Sequence, residues 1–348
     1  MPHRNQENIY LNSLNLVFRD NFVQLSRFLK PFKSFEQAYR HLTRIQKVSI
    51  DPLQEWQKLE KHQIKIVTIN DNDYPPLLRE ISYPPLGLYY QGEISYLSDP
   101  LCLAVVGTRR VSEYGKLVIE KLIKELIPYN FVIVSGLAFG VDTLSHKAAL
   151  RNQGKTVAVL GTGLDNIFPK TNISLSKEII QNGTLISEYP LNTPSFKYHF
   201  PWRNRIISGL SKATLIIEAP EKSGALITAN FALEQNRDVF AIPGSIFNRN
   251  SQGTNNLIQH GAKLIAQVKD ILEEYHLAPD IKQTKNIRFD NDLERQIYEM
   301  LNFNNSVSVD KIIEKINLNT NEVLIALTSL EMKELIKNIG QGNYVKIN

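Results

Sequence analysis

The pattern of apolar and polar positions changes character twice along the chain. Through residues 1 to about 75 apolar side chains recur at helical spacing, in Ile9-Tyr10-Leu11 through Leu16-Val17-Phe18 and again in Phe22-Val23, Leu25 and Phe28-Leu29. Glycine is absent there, Pro31 and Pro52 punctuate the stretch, and short helices are predicted. The segment Tyr74-Pro75-Pro76-Leu77-Leu78 through Tyr83-Pro84-Pro85-Leu86 is too rich in proline for a regular helix. It predicts an extended connection into a short strand over Leu86–Tyr90.

From residue 101 short apolar runs end in glycine or turn residues. They are Leu101–Val106, Phe131–Val134, Thr156–Leu160, Thr184–Ile186, Ala213–Ile217 and Val239–Ile242. Each run is continuous rather than alternating, as in strands covered on both faces. Helical stretches lie between them at 112–127, 142–153, 172–182, 203–211 and 228–236. Strand–helix alternation of this kind predicts an α/β fold with an extended Rossmann-like parallel sheet. Residues 275–289 are polar and without period, which predicts a linker. After it, Leu293, Ile297 and Leu301 mark one helix, Val309, Ile312, Ile313 and Ile316 a second, and Val323, Leu324, Leu327 and Leu330 a third. Leu335-Ile336-Lys337 and Tyr344-Val345-Lys346 flank a Gly-containing turn, completing a winged-helix pattern. The expected organisation is a helical, SAM-like domain over 1–80, a Rossmann domain over 81–274, the linker 275–289, and a winged helix over 290–348.

Composition is that of an ordinary globular protein, with 348 residues, 43% hydrophobic and 22% charged, which excludes wholesale disorder and fibrous repeats. Charge adds a location. Residues 1–100 carry 12 basic and 11 acidic side chains, residues 101–287 carry 21 and 15, and residues 288–348 carry 7 and 9. The net +5 therefore belongs to the middle of the chain, and the end is acidic. The lone Cys102 permits no intrachain disulfide and no Cys-rich zinc site. With no apolar signal core at the N-terminus and no apolar run of about 20 residues, the expectation is a cytoplasmic protein that does not enter a membrane.

Ligands of open parallel sheets bind beyond the carboxyl ends of the strands. Gly107-Thr108-Arg109-Arg110, Ser135-Gly136 through Gly140-Val141-Asp142, Gly161-Thr162-Gly163 and Ser223-Gly224 all fall at such ends. Glycine lets backbone N–H groups approach an anion, and helix N-termini add positive potential, so the set predicts a phosphate cradle. A second feature is Lys197-Tyr198-His199-Phe200-Pro201-Trp202-Arg203-Asn204-Arg205, within a span (194–212) that holds four cations and no carboxylate. Cations interleaved with aromatic rings suit single-stranded nucleic acid, whose phosphates pair with the former and whose bases stack on the latter. Trp202 reads as core. The expected binding set is Gly107, Thr108, Arg109, Ser135, Gly136, Gly140, Lys197, Phe200, Arg203, Asn204, Arg205, Ser223 and Gly224. Asp142 and His146, four residues apart, lack a third metal ligand and read as a helix cap and a satisfied polar residue. Glu188 and Glu218 end strands and read as acid/base candidates or, more commonly, ordinary hydrogen-bonding carboxylates. There is neither a Walker-type phosphate loop nor a G-x-S-x-G elbow, and no cofactor is called for.

These blocks, with Ser187-Glu188-Tyr189-Pro190, Pro243-Gly244, Gly253-Thr254-Asn255 and Gly261-Ala262, closely resemble the DprA/Smf family over Val106 to about Ala266. The resemblance implies a Rossmann domain that binds single-stranded DNA, loading of the RecA recombinase in natural transformation, and homodimerisation through that domain. It also implies that Arg109 binds phosphate and that Lys197 and Phe200 supply a cation and a stacking ring ahead of Arg203-Asn204-Arg205. A nucleotide-processing enzyme resembling the phosphoribohydrolases is the alternative. Their Gly-Gly-x-Gly-Thr-x-x-Glu turn needs a carboxylate where this chain has Phe231, and Gly253-Thr254 is followed by none, so a non-enzymatic protein is expected. The third helix of the tail carries Glu322 and Glu331 against Lys333, which predicts contact with protein rather than with duplex DNA.

Overall fold

A computed structural model describes residues 2–19, 21–277, 289–301, 306–316, 318–333, 335–340 and 342–346, residues 2–5 by their backbone alone. The described chain forms two compact units, Met1–Ala278 and Pro279–Asn348. The predicted linker falls largely on 278–288, outside the described residues.

The first unit is built on a nine-stranded sheet of order β1-β2-β6-β5-β4-β3-β7-β8-β9. The strands are β1 (Lys65–Thr68), β2 (Gly87–Gly92), β3 (Cys102–Val106), β4 (Val132–Ser135), β5 (Lys155–Leu160), β6 (Gly183–Ser187), β7 (Ala213–Ile216), β8 (Asp238–Ala241) and β9 (Lys263–Leu264). From β6 to β9 neighbouring strands are parallel, and β3 and β4 are buried end to end, as continuous apolar runs require. β1 and β2 add antiparallel strands at one edge, so the sheet starts well before residue 81. The chain runs outward from β3 to β6 on one side and returns to β7 on the other. The β3–β7 junction is therefore the switch point, where a crevice opens beyond the carboxyl ends.

Helices α1 (Pro2–Phe18), α2 (Phe22–Leu29), α3 (Phe35–Ile45) and α4 (Pro52–Lys61) form as the periodicity predicts. Asn21, Ser34 and Asp51 cap the last three through side-chain oxygens. Their apolar faces share a core with the sheet: Leu11, Leu14 and Leu42 pack in one cluster with Tyr89, Leu160 and Leu185. Polar residues of α1 enter this interface too. Asn15 donates to the Tyr89 hydroxyl at 3.0 Å, that hydroxyl donates to Asn12 at 2.9 Å, and Asn8 donates to the Ile66 carbonyl at 3.1 Å. The proline-rich connection contains a single helical turn, α5 (Pro76–Arg79), because proline is tolerated in a first turn, where its missing N–H costs nothing.

The crossover helices are α6 (Glu113–Leu126), α7 (Val141–Arg151), α8 (Ile173–Asn182), α9 (His199–Gly209), α10 (Gly224–Glu234), α11 (Gln252–Gln259) and α12 (Val268–Glu274). Two further apolar clusters cover the sheet, one around Val106, Val134, Val159 and Ile206, the other around Val105, Ile133, Leu215 and Phe240. Cys102 lies buried in the first, unpaired, with its thiol pushed up by burial.

The second unit is the expected winged helix. Helices α13 (Asp292–Met300), α14 (Val309–Ile316) and α15 (Thr320–Met332) pack around Ile297, Ile312, Val323, Leu327 and Leu330. Strands β10 (Val307–Ser308), β11 (Ile336–Asn338) and β12 (Asn343–Lys346) form its three-stranded sheet.

Candidate nucleic-acid interface

A cleft of about 750 Å³ opens beyond the carboxyl ends of β3 and β7. Its lining includes nine of the thirteen residues expected from sequence: Gly107, Thr108, Arg109, Lys197, Phe200, Arg203, Asn204, Ser223 and Gly224. The turn after β3 is held from below. Thr108 N–H donates to the Glu218 carbonyl at 2.7 Å, and its hydroxyl accepts from Arg110 N–H at 3.2 Å. The buried Glu218 carboxylate accepts from Ser112 N–H at 2.9 Å and from the Ser112 hydroxyl. Glu218 thus fastens the loop between β3 and α6, which is the ordinary carboxylate role rather than an acid/base one. Fixed in this way, the turn projects Arg109 and Arg110 into solvent.

Ser135, Gly136, Gly140 and Arg205 do not line the cleft. Ser135 is buried and donates to the Val105 carbonyl at 2.7 Å. The N–H groups of Gly136 and Ala138 donate to Asp142 at 3.1 and 3.3 Å, so this turn spends its donors on its own carboxylate. Gly136 is glycine because a Cβ there would stand 2.6 Å from the Arg203 guanidinium. Gly140 has φ of +79°, and a Cβ on it would lie 2.3 Å from the Thr108 carbonyl oxygen. Only glycine lets α7 start directly against the first turn, where Val141 N–H donates to Thr108. These glycines shape the site without facing a ligand. Arg205 is buried against Glu188 at 2.6 Å, stacks over Trp202 at 4.2 Å and donates to the Tyr83 carbonyl at 3.0 Å. It therefore braces α9 and leaves no charge for a phosphate. Trp202 rests between Arg205 and Tyr83 as a packing residue.

Arg203 has an intermediate role. It lines the cleft floor yet is 4% exposed, donating to the Gly136 carbonyl at 2.8 Å and also to the Val159 carbonyl. It thus ties the ends of β4 and β5 to α9. Burial draws its pKa down to about 10, against the pull of Asp142, so it remains a cation at neutral pH. Asp142 beside it is raised by burial despite Arg203. His146 is buried behind them, with a pKa pushed to about 3 by burial and by Arg203. The Thr156 hydroxyl donates to Ile133, so at 2.7 Å it accepts from His146 Nδ1–H, which assigns the neutral tautomer.

Two contributors were not expected from sequence. Phe168, 39% exposed, meets Phe200 with ring centroids 5.4 Å apart at the cleft wall. Lys222 enters from the loop before α10, whose N-cap is Ser223. A ring that follows Asp165-Asn166-Ile167 and a lysine between Glu221 and Ser223 carry no local signature, and only the loop paths bring them here. Among the described residues Arg109, Arg110, Lys197 and Lys222 have no ion-pair partner. Four solvated cations thus surround two open rings in one cleft.

A switch-point cleft on a Rossmann-like sheet, lined by unpaired cations and aromatic faces, defines an α/β protein whose cleft has the chemistry to receive a polyanion. Known proteins narrow the class. Residues 65–276 match the family model for DNA recombination-mediator protein A, and residues 282–342 match the DprA winged helix domain. The chain belongs to the DprA/Smf family. It is 38% identical to Protein Smf of Escherichia coli over 357 aligned residues, covering 97% of this chain and 94% of that protein. The X-ray structure of DprA from Streptococcus pneumoniae aligns at a TM-score of 0.63 with 39% identity, over 77% of this chain and 93% of that one. DprA from Helicobacter pylori, whose structure is described in terms of its single-stranded DNA binding mode, aligns at 0.56 with 32% identity, over 62% and 96%.

Proposed function

We propose that this cleft holds single-stranded DNA with little base-specific readout, and that the chain acts by binding rather than by catalysis. The observation that carries the reading is the set of unpaired cations, Arg109, Arg110, Lys197 and Lys222, around the Phe168–Phe200 ring pair. Cations take phosphates at any sequence, and a ring face accepts any base. The single-stranded DNA binding of the Helicobacter pylori relative supports it. The carboxylates nearest the cleft favour binding over hydrolysis, since Asp142 and Glu218 are buried and engaged by N–H donors. The family's description as a recombination mediator supports the further step, in which a homodimer delivers the strand to the RecA recombinase. The winged helix would serve protein contact. On α15 the residues Leu324, Ile325 and Met332 are exposed, and Lys333 is held by Asp290 at 2.8 Å and Glu294 at 2.6 Å.

Fluorescence anisotropy of labelled oligothymidylate tests the central point. Arg109→Ala, Lys197→Ala and Lys222→Ala should each weaken binding and lower the salt slope by about 0.7, the value for one single-strand phosphate contact. Unchanged affinity in the triple variant would overturn the proposed site.

A further inference from the structure

The loop after β8 carries the most exposed aromatic side chain of the described residues. Phe247 is 93% exposed and Ile246 beside it 79%. Neither packs against a core cluster. A two-residue apolar tip of this kind lies outside the core and is open to a role beyond packing.

Its position supplies one. β8 is parallel to β7 and β3, so its carboxyl end lies on the same edge as the cleft. The loop is fastened to the cleft's own turns. Asn250 donates to the Arg110 carbonyl at 2.9 Å, its carbonyl accepts from Ala219 N–H at 2.7 Å, and Tyr114 donates to the Pro243 carbonyl at 2.8 Å. Asn248 caps the short turn that follows by accepting from Asn250 N–H at 2.9 Å. The tip is thus mounted on a braced base adjoining Arg110.

Charge carried by the loop's own residues has one sign, while the Glu218 carboxylate sits beneath the base, where Asn250 donates to it at 3.4 Å. From Val239 to Lys269 the sequence contains no carboxylate, while Arg249 stands two residues from the ring and is exposed. Arg110 across the Asn250 bridge is also exposed, and neither arginine has an ion-pair partner among the described residues. An open ring flanked by unpaired cations parallels the Phe168–Phe200 end, where Lys197 stands beside the rings. Between the ends of β5 and β8 lie four strand spacings, about 19 Å along the edge.

We propose that Phe247 and Arg249 form a second stacking and phosphate station for single-stranded DNA. The strand would leave the Phe168–Phe200 pair, cross the Arg109-Arg110 turn and reach the β8 loop. The inference rests on the single-strand reading of the cleft and extends it by fixing the strand's course.

Length dependence separates the two. Anisotropy titrations would compare an oligothymidylate of about 4 nucleotides with one of about 16, within the range of single-strand site sizes. Phe247→Ala should weaken the long oligonucleotide by about 5-fold or more and leave the short one unchanged. Arg249→Ala should lower the salt slope for the long one alone, by about 0.7. Arg109→Ala should weaken both. If wild-type protein retains neither oligonucleotide, the parent reading fails. If wild type binds but Phe247→Ala matches it at both lengths, the second station is wrong. It is equally wrong if Phe247→Ala changes only the mass measured by light scattering, which would assign the tip to contact between copies.

Discussion

Arg203 and Arg205 stand two positions apart on α9, both read as phosphate ligands in the sequence, and the fold gives them different work. Arg205 is spent on Glu188, and breaking a buried pair from one side leaves an uncompensated charge that costs about 3–5 kcal/mol. Arg205→Ala should therefore lower the unfolding midpoint in urea sharply, while the folded fraction keeps its salt slope for single strands. Arg109→Ala should do the reverse, leaving the midpoint in place. His146 offers a test of the buried floor by pH. Its folded pKa of about 3 lies below the unfolded value near 6.5, so the unfolded chain takes up the proton first. Its contribution is complete above about pH 6.5 and is lost as pH falls toward 3, with a limiting slope of about 1.4 kcal/mol per unit. Asp142, raised by burial, acts in the opposite sense, since the folded state holds that proton more tightly. Urea midpoints compared between wild type and His146→Gln from pH 7 to pH 5 should show the decline in wild type and a flatter line in the variant.

At the scale of elements, the helix and strand pattern was largely legible, because periodicity reports burial and burial decides which elements form. The buried strands from Cys102 to Ala241 match the continuous apolar runs closely. The exceptions have physical causes. Lys65–Thr68 is too short to show a period against its helical surroundings, and only pairing with Gly87–Gly92 makes it a strand. Asn8, Asn12 and Asn15 are polar residues of α1, yet they are buried against β1 and β2 through hydrogen bonds that no spacing announces. Glycine turns marked the sheet edge where the cleft opens but not which N–H groups stay free, since Asp142 claims two of them. Gly140→Ala tests the turn at this scale. The strained positive φ and the clash with Thr108 should separate α7 from the Arg109 turn, lowering both the thermal midpoint and single-strand affinity. The acidic winged helix should add no salt-dependent affinity for duplex DNA. A filter-binding comparison of the full chain with a chain ending at residue 277 measures this directly.

For the molecule as a whole, every residue of the cleft lies in the first unit, which has its own cores. The fragment 1–277 should therefore bind oligothymidylate with the affinity of the full chain, and a loss beyond about 3-fold would show that the winged helix contributes to the site. The linear order of residues dictated the fold class, the basic middle and acidic end, and the sheet edge where the cleft opens. Hydrophobic period, local charge and glycine placement are all properties of neighbours in sequence. Tertiary structure decided which cations remain available. Arg205 is consumed by Glu188 and Arg203 is tied to backbone carbonyls on the cleft floor, whereas Lys222, Phe168 and Phe247 gain a place on the edge from the paths of loops distant in sequence. Whether a charge stays solvated or is buried and paired depends on what the rest of the chain brings against it.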